Sequence, residues 1–261
     1  MRGERMGIEA SRQELPFVAP CRLIPASAPF RWIALGWHDF RAAPLPSMTY
    51  GLVIALLGLA ITTLAWRYGS NWVVLLLLPT FVFVAPVLAM GFYAISAELA
   101  RGEKPTLRRC FMEERCRLGD AMVYSLVLLV VFLLWMRAGT GVHVFYPDLG
   151  NPTFLDLAGY FAIGSAVGSV FALISFAASA FSLPMLLDRR TDGVTAAVTS
   201  ANAVLKNKPA MLVWICLILL AVIIGFATAF VGLVVTMPVI GHATWHAYKD
   251  TIDASAWPAN C

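Results

Sequence analysis

The chain has 261 residues, of which 60% are hydrophobic and only 13% are charged, and its formal net charge is +4. A typical soluble domain has about 25% charged residues, and a chain this apolar cannot be covered by polar surface. We therefore expect an integral membrane protein whose main partner is the lipid bilayer, and no nucleic-acid partner.

The first 28 residues hold scattered arginines and prolines but no continuous apolar run, which differs from a cleavable signal peptide. We predict a flexible cytoplasmic arm over residues 1–28. Residues 29–250 follow as a single membrane domain, and residues 251–261 form a short cytoplasmic tail.

Six apolar runs in the membrane domain are long enough to cross the hydrocarbon core as helices, which takes about 20 residues each. A transmembrane β-barrel would instead need alternating segments of about 10 residues, and these are not seen. The sequence therefore predicts an all-α polytopic membrane helical bundle of six transmembrane helices, at about residues 47–66, 71–97, 119–137, 158–187, 209–227 and 229–248.

The six runs group into three hairpins, in repeat-like units over residues 29–100, 101–190 and 191–250. Each hairpin is preceded by apolar residues at helical spacing, which predicts an interfacial amphipathic helix along the cytoplasmic surface. The three apolar stripes are Phe30, Ile33, Trp37 and Phe40; Leu107, Cys110, Phe111 and Leu118; and Val194, Ala197, Val198, Ala201, Val204 and Leu205.

A proline lies in the second apolar run of each hairpin, at Pro86, Pro184 and Pro238. Proline removes one helical hydrogen bond, so we predict helix kinks at these three positions. Triplication of a two-helix unit is one explanation of the pattern. The frequency of proline in membrane helices is the other.

The positive charges predict the orientation. Of the 19 lysines and arginines, only Arg67 and Arg137 fall on one side of the predicted topology. Because cytoplasmic loops retain positive charge, we expect a multi-pass protein of the bacterial inner (cytoplasmic) membrane with both termini in the cytoplasm. The cysteines then lie in a reducing compartment or within a span, and we expect no structural disulfide.

Ionisable residues in membrane helices are costly and indicate candidate sites. His242 and His246 are four residues apart, so both imidazoles project from one helix face, as two metal or haem ligands would. A structural or interfacial role is the alternative, and we expect neither metal nor cofactor. Asp188 and His242 each stand four residues after a hairpin proline, which predicts a polar site at the cytoplasmic mouth with a hydrogen bond between them.

The sequence contains no Walker loop, no dinucleotide-binding GxGxxG, no GxSxG elbow and no HExxH motif. We therefore expect that the chain is not an enzyme.

Several stretches of the chain resemble a bacterial family of integral membrane proteins, domain of unknown function 2189: Gly36–Leu45, Tyr50–Leu52, Ser182–Arg189 and Pro238–Tyr248. The resemblance spans about residues 30–250 and implies a similar polytopic inner-membrane protein with no established activity. Some members carry the label cytochrome c oxidase subunit I. The catalytic subunit of such an oxidase needs more histidine ligands, for its haems and copper, than the four histidines present here.

Three functions fit these observations. The first is a structural or interaction subunit, or an assembly partner, of a membrane complex. The alternative is a transporter or channel for a small hydrophobic solute, because broken helices and repeats are typical of transporters and few polar groups line the spans. The third is a haem- or metal-binding respiratory accessory protein that uses His242 and His246.

Overall fold

The structure, a computed structural model, describes residues 16–68, 88–110, 118–145 and 153–259. These residues form helices and no β-strand, which confirms the all-α prediction for the described part of the chain. The helices are α1 Ala28–Ala42, α2 Pro44–Tyr68, α3 Leu88–Ala100, α4 Leu118–Phe145, α5 Phe154–Ser179, α6 Ser182–Asp188, α7 Gly193–Lys206, α8 Lys208–Ala227 and α9 Leu233–Thr251.

Within the described residues, four stretches are long and apolar enough to cross a membrane: Pro44–Tyr68, Met122–Gly139, Phe154–Asp188 and Lys208–Ala227. They correspond to the first, third, fourth and fifth predicted spans. Most of the second predicted span, with Pro86, lies outside the described residues, and α3 is its last part. The sixth corresponds to α9, which begins at Leu233 rather than at residue 229.

The turn between α8 and α9 explains this later start. Thr228 accepts a hydrogen bond from the Gly232 amide at 2.8 Å and donates to the Ile224 carbonyl, so it closes the turn after α8. Ala229 and Phe230 have φ of 49° and 70°, a left-handed backbone that a helix cannot contain. The chain therefore reverses direction here before α9 begins.

The fourth predicted span is broken between α5 and α6. At the break the Phe181 amide donates to Ser200 Oγ at 3.0 Å, and Ser200 Oγ donates to the Ala177 carbonyl at 2.7 Å. A side chain from α7 thus enters the helical hydrogen-bond ladder. Pro184 follows in the first turn of α6, where the missing N–H of proline costs nothing.

The buried core lies where the ends of the spans meet α1, α7 and the terminal segments. Its largest fully buried apolar side chains are Trp32, Met90, Ile95, Phe181, Met185, Leu186, Met211, Trp214 and Tyr248. In contrast, only 12% of the span window in α2 and 11% of that in α4 is buried. The spans therefore present apolar side chains outward, as lipid contact requires.

Residues 16–27 are bound to this core. Asn207 accepts from the Ile24 amide at 2.9 Å and donates to the Arg22 carbonyl at 3.0 Å, and the Arg22 amide donates to the Thr251 carbonyl at 2.8 Å. The prediction of a flexible arm over residues 1–28 did not anticipate these bonds. Trp257 of the predicted tail is also buried, at 3% exposure.

Three helices pack closely against α9, and each of these contacts involves a glycine. A Cβ on Gly36 of α1 would lie 2.5 Å from the Val239 carbonyl oxygen, and one on Gly51 of α2 would lie 2.6 Å from that of Val234. From α3, the ring of Phe92 lies 2.5 Å from the Cβ position of Gly241. Glycine at these crossings lets α1, α2 and α3 surround α9.

The predicted surface helices α1 and α7 form, but their buried faces match the predicted apolar stripes only in part. In α1, Phe40 of the predicted stripe is buried beside Trp32 and Asp39, whereas Phe30 and Trp37 are 60% and 45% exposed. In α7 the buried residues are Thr195, Ala196, Thr199, Ser200 and Ala203, and Val194, Val198 and Leu205 are exposed. Of the second predicted stripe, Cys110 is buried and Leu107 is 41% exposed, and Phe111 lies outside the described residues.

Candidate functional site

Polar side chains of α9 meet polar side chains from the three helices that surround it, α1, α2 and α3. We call it the Asp39 cluster: Asp39 of α1, Ser47 of α2, Ser96 of α3, and His242 and His246 of α9. All except His246 are at most 6% exposed, and the side chain of His246 is 23% exposed. Buried polar groups persist only where they are hydrogen-bonded, so this cluster depends on its own contacts.

The backbone of α1 and α2 places the cluster. Gly36 lies three residues before Asp39 on the same helix face, so its close approach to α9 brings the carboxylate to the histidines. Pro44 is the first residue of α2, where its missing N–H needs no partner. Ser47 follows in the first turn and donates to the Ala43 carbonyl at 2.7 Å.

His242 is held at both ring nitrogens. Nε2 is 2.9 Å from Ser47 Oγ, and Nδ1 is 2.8 Å from Ser96 Oγ. The Phe92 ring packs edge-on against the imidazole, with 5.8 Å between ring centroids. The ring therefore links α2 to α3 through its two nitrogens.

Asp39 continues the chain of hydrogen bonds toward the surface. Its Oδ2 accepts from Ser96 Oγ at 2.9 Å and lies 2.8 Å from His246 Nε2. Burial raises the pKa of Asp39, but the hydrogen bond and charge of His246, with the Ser96 bond, outweigh burial and hold that pKa below its usual value. The carboxylate is therefore the charged form at neutral pH.

The proton count of this network depends on His242. A neutral imidazole has one N–H donor and one acceptor nitrogen, whereas the protonated ring donates from both nitrogens. If Ser96 donates to Asp39 and Ser47 donates to Ala43, both serine oxygens can only accept from the ring. Only the protonated ring satisfies all of these hydrogen bonds at once, and the neutral ring leaves one of them unmade.

Asp188 lies in a separate cluster. Its carboxylate accepts from Tyr248 at 2.8 Å, from Lys249 at 2.8 Å and from Arg189 at 3.0 Å. Because both nitrogens of His242 are occupied by serines, the predicted hydrogen bond between Asp188 and His242 is not formed. The equal spacing from prolines misled the prediction, since Pro184 lies in a first turn and Pro238 lies inside α9.

The predicted metal pair has other contacts. His242 and His246 do project from one face of α9, but their nitrogens bond to Ser47, Ser96 and Asp39. In the described residues no group of three or more His, Cys, Asp or Glu side chains is arranged to hold a metal ion. A metal ion at these histidines would have to displace the hydrogen bonds of the cluster.

Sequence reasoning missed Asp39, Ser47 and Ser96. Asp39 was part of the stretch that carries the family resemblance, and the spacing of Trp32, Gly36 and Asp39 already follows one helix face. That spacing is a signal for a buried stripe. The two serines have no local signal, because their role arises only when α2 and α3 meet α9.

Comparison with known proteins identifies one family. The family model described as "Predicted integral membrane protein (DUF2189)" matches residues 73–188, which is less than half of the chain. The match confirms the resemblance to this family over those residues. No curated protein and no solved structure matches the chain.

Proposed function

We propose that the chain is a six-span protein of the bacterial inner membrane and serves as a structural or interaction subunit of a larger membrane complex. The observation that carries this proposal is an open groove between α4 and α5. A partner transmembrane helix is its proposed occupant.

The groove has a volume of about 740 Å³ and is lined by Trp135 and Gly139 of α4 and by small residues of α5. Those small residues are Gly164, Ser165, Gly168, Ser169 and Ala172. Among the described residues, no atom from another helix lies within 4 Å of the Cβ position of Gly164. Small residues four apart let two helix backbones approach closely, which is how many membrane helices associate.

The charge distribution and the surface helices support the proposed topology. With six spans in three hairpins, only Arg67 and Arg137 lie on the periplasmic side, so both termini are cytoplasmic. The outward apolar side chains of α1 and α7, such as Phe30 and Val194, then contact the lipid at the cytoplasmic interface.

The test is affinity purification in a gentle detergent followed by mass spectrometry. We expect a stoichiometric membrane partner with the wild-type chain and its loss with Gly164→Leu, because a leucine would fill the groove. Ala166→Leu is the matched control: Ala166 is exposed on α5 and does not line the groove, so this variant should keep the partner. A partner that Gly164→Leu retains, or no partner with the wild type, would contradict the proposal.

The same groove supports a second candidate, a binding site for a small hydrophobic solute. Its volume lies in the range of small-molecule pockets, and Trp135, Tyr160 and Phe161 give it aromatic walls. Native mass spectrometry of the purified chain separates the two candidates. A bound small molecule without partner protein, lost in Gly164→Leu, would favour the solute site over the subunit interface.

A further inference from the structure

We infer that the Asp39 cluster is a proton-binding site, in which Asp39 and His242 share one proton through the Ser96 hydroxyl. The site is formed by α1, α2, α3 and α9, whereas the groove lies between α4 and α5. The inference therefore does not depend on the proposed function.

The site is open to water at one end. A surface cavity of about 370 Å³ is lined by Arg31, Trp32, Leu35, His246, Lys249 and Asp250. From His246 the hydrogen bonds run through Asp39 and Ser96 to His242, and end at Ser47. Each step is 2.8 to 2.9 Å long, which suits proton exchange between neighbouring groups.

The transfer balances with ordinary acid–base steps. A proton from water in the cavity, or from His246, binds a carboxylate oxygen of Asp39. Asp39 then gives a proton to Ser96 Oγ while the Ser96 hydroxyl gives its own proton to Nδ1 of His242. Asp39 is again a carboxylate, Ser96 is again a neutral hydroxyl, and the imidazole carries one additional proton and a positive charge.

Two features of the surroundings offset the cost of burying a proton at this place. A charged imidazolium inside a membrane bundle is costly unless an opposite charge is near, and the Asp39 carboxylate is two hydrogen bonds away. The protonated ring also satisfies both serines at once, whereas the neutral ring does not. Proton binding therefore tightens the link from α1 through α3 to α2.

Other titratable groups border the site and define what the test must control. His38 Nδ1 of α1 lies 3.6 Å from Asp39 Oδ1 and its side chain is 79% exposed. On α3, Glu98 is a buried carboxylate two residues after Ser96. On α9, Lys249 is held by Asp188 and so does not pair with Asp39.

Solid-state NMR of the full chain in lipid nanodiscs, with ¹⁵N-labelled histidine, tests the inference. The ring nitrogen shifts show whether an imidazole carries one or two N–H groups, and the His242→Asn variant identifies the His242 signals. Between pH 8 and pH 4 we expect His242 to change from one N–H to two. In Asp39→Asn this change should move at least about one pH unit lower, because the stabilising carboxylate charge is gone.

Ser96 provides the discriminating comparison. In Ser96→Ala, His242 should gain its second N–H at a lower pH than in the wild type, as in Asp39→Asn. Ser96→Thr keeps the hydroxyl, so in this variant the change should occur at the wild-type pH. Ser179→Ala is the matched control, since Ser179 Oγ donates to the Ser175 carbonyl, away from the cluster.

Two results would overturn the inference. One is a His242 ring that keeps a single N–H over the whole pH range. The other is a change at the same pH in wild type, Asp39→Asn and Ser96→Ala. A purely structural cluster would give this second result together with lower thermal stability of the variants, so the stability of each is measured alongside.

Discussion

Gly36→Ala tests the packing that positions the Asp39 cluster. The added Cβ would lie 2.5 Å from the Val239 carbonyl oxygen and 2.7 Å from the Ala243 amide nitrogen, both backbone atoms of α9. Backbone atoms cannot rotate away as a flexible side chain can. The two helices must therefore separate by at least about 0.5 Å for the contact to reach 3.0 Å.

This separation acts directly on Asp39, which lies three residues later on the same face of α1. Its 2.8 Å contact with His246 and 2.9 Å contact with Ser96 would lengthen beyond good hydrogen-bond geometry. Overpacking costs about 1–3 kcal/mol. An intact hydrogen bond to a charged group contributes about 1.5–3 kcal/mol, and lengthening the bonds of Asp39 loses part of that contribution. We expect a net loss of about 2–4 kcal/mol in the free energy of unfolding.

Unfolding in detergent by denaturant titration or heating measures this loss. The matched control is Gly139→Ala on α4, where no described atom lies within 4 Å of the added Cβ. Alanine in an open helical position is favourable by roughly 0.5–1 kcal/mol, so the control should be as stable as wild type or more stable. A Gly36→Ala protein as stable as Gly139→Ala would refute the close packing of α1 on α9.

Further predictions concern acid, the arm and the topology. Because the pKa of Asp39 lies below its usual value, the carboxylate stabilises the fold at neutral pH. This stabilisation is lost as pH falls through the lowered pKa, below about 4. Tryptophan fluorescence should therefore change below about pH 4 in the wild type but not in Asp39→Asn. Asn207→Ala should raise the rate of tryptic cleavage after Arg22 at least about tenfold, because the lost side chain releases the Ile24 amide and the Arg22 carbonyl, both of them part-buried, from the core. Asn202→Ala, whose amide reaches only Cys21 Sγ at 3.5 Å, is its control and should cleave as wild type. A phosphatase reporter fused after Cys261 should be inactive, as expected of a cytoplasmic terminus, and activity would contradict the predicted orientation.

The apolar runs of the sequence predicted the candidate membrane-spanning helices well where contact with lipid is the main constraint on the chain. Such runs form helices because the bilayer offers backbone groups no other hydrogen-bond partner, and α2, α4, α5 and α8 follow this rule. The break before α6 was not predictable in this way. It depends on Ser200, a residue of α7 that enters the ladder from outside the helix.

The candidate site was predicted only in part, for a related physical reason. His242 and His246 were identified because ionisable groups in an apolar run are unusual. Their partners were not, because Asp39 lies in a short helix with other charged residues and the serines occur in otherwise ordinary helices. Partner choice depends on which helices cross, and the glycines at those crossings carry that information only once the helices are placed.

The position of α9 explains why a helix that is more polar than α2, α4, α5 and α8 is also well enclosed. Ten of its 19 residues are buried, whereas none of the described residues of α5 is. A helix with two histidines near its middle cannot face lipid at low cost, so α1, α2 and α3 must cover it. Of the Asp39 cluster, only Ser96 lies within residues 73–188, which the family model matches. The cluster therefore joins the beginning and the end of the membrane domain to its matched part, and the first helices of the chain complete their hydrogen bonds only when α9 has been added.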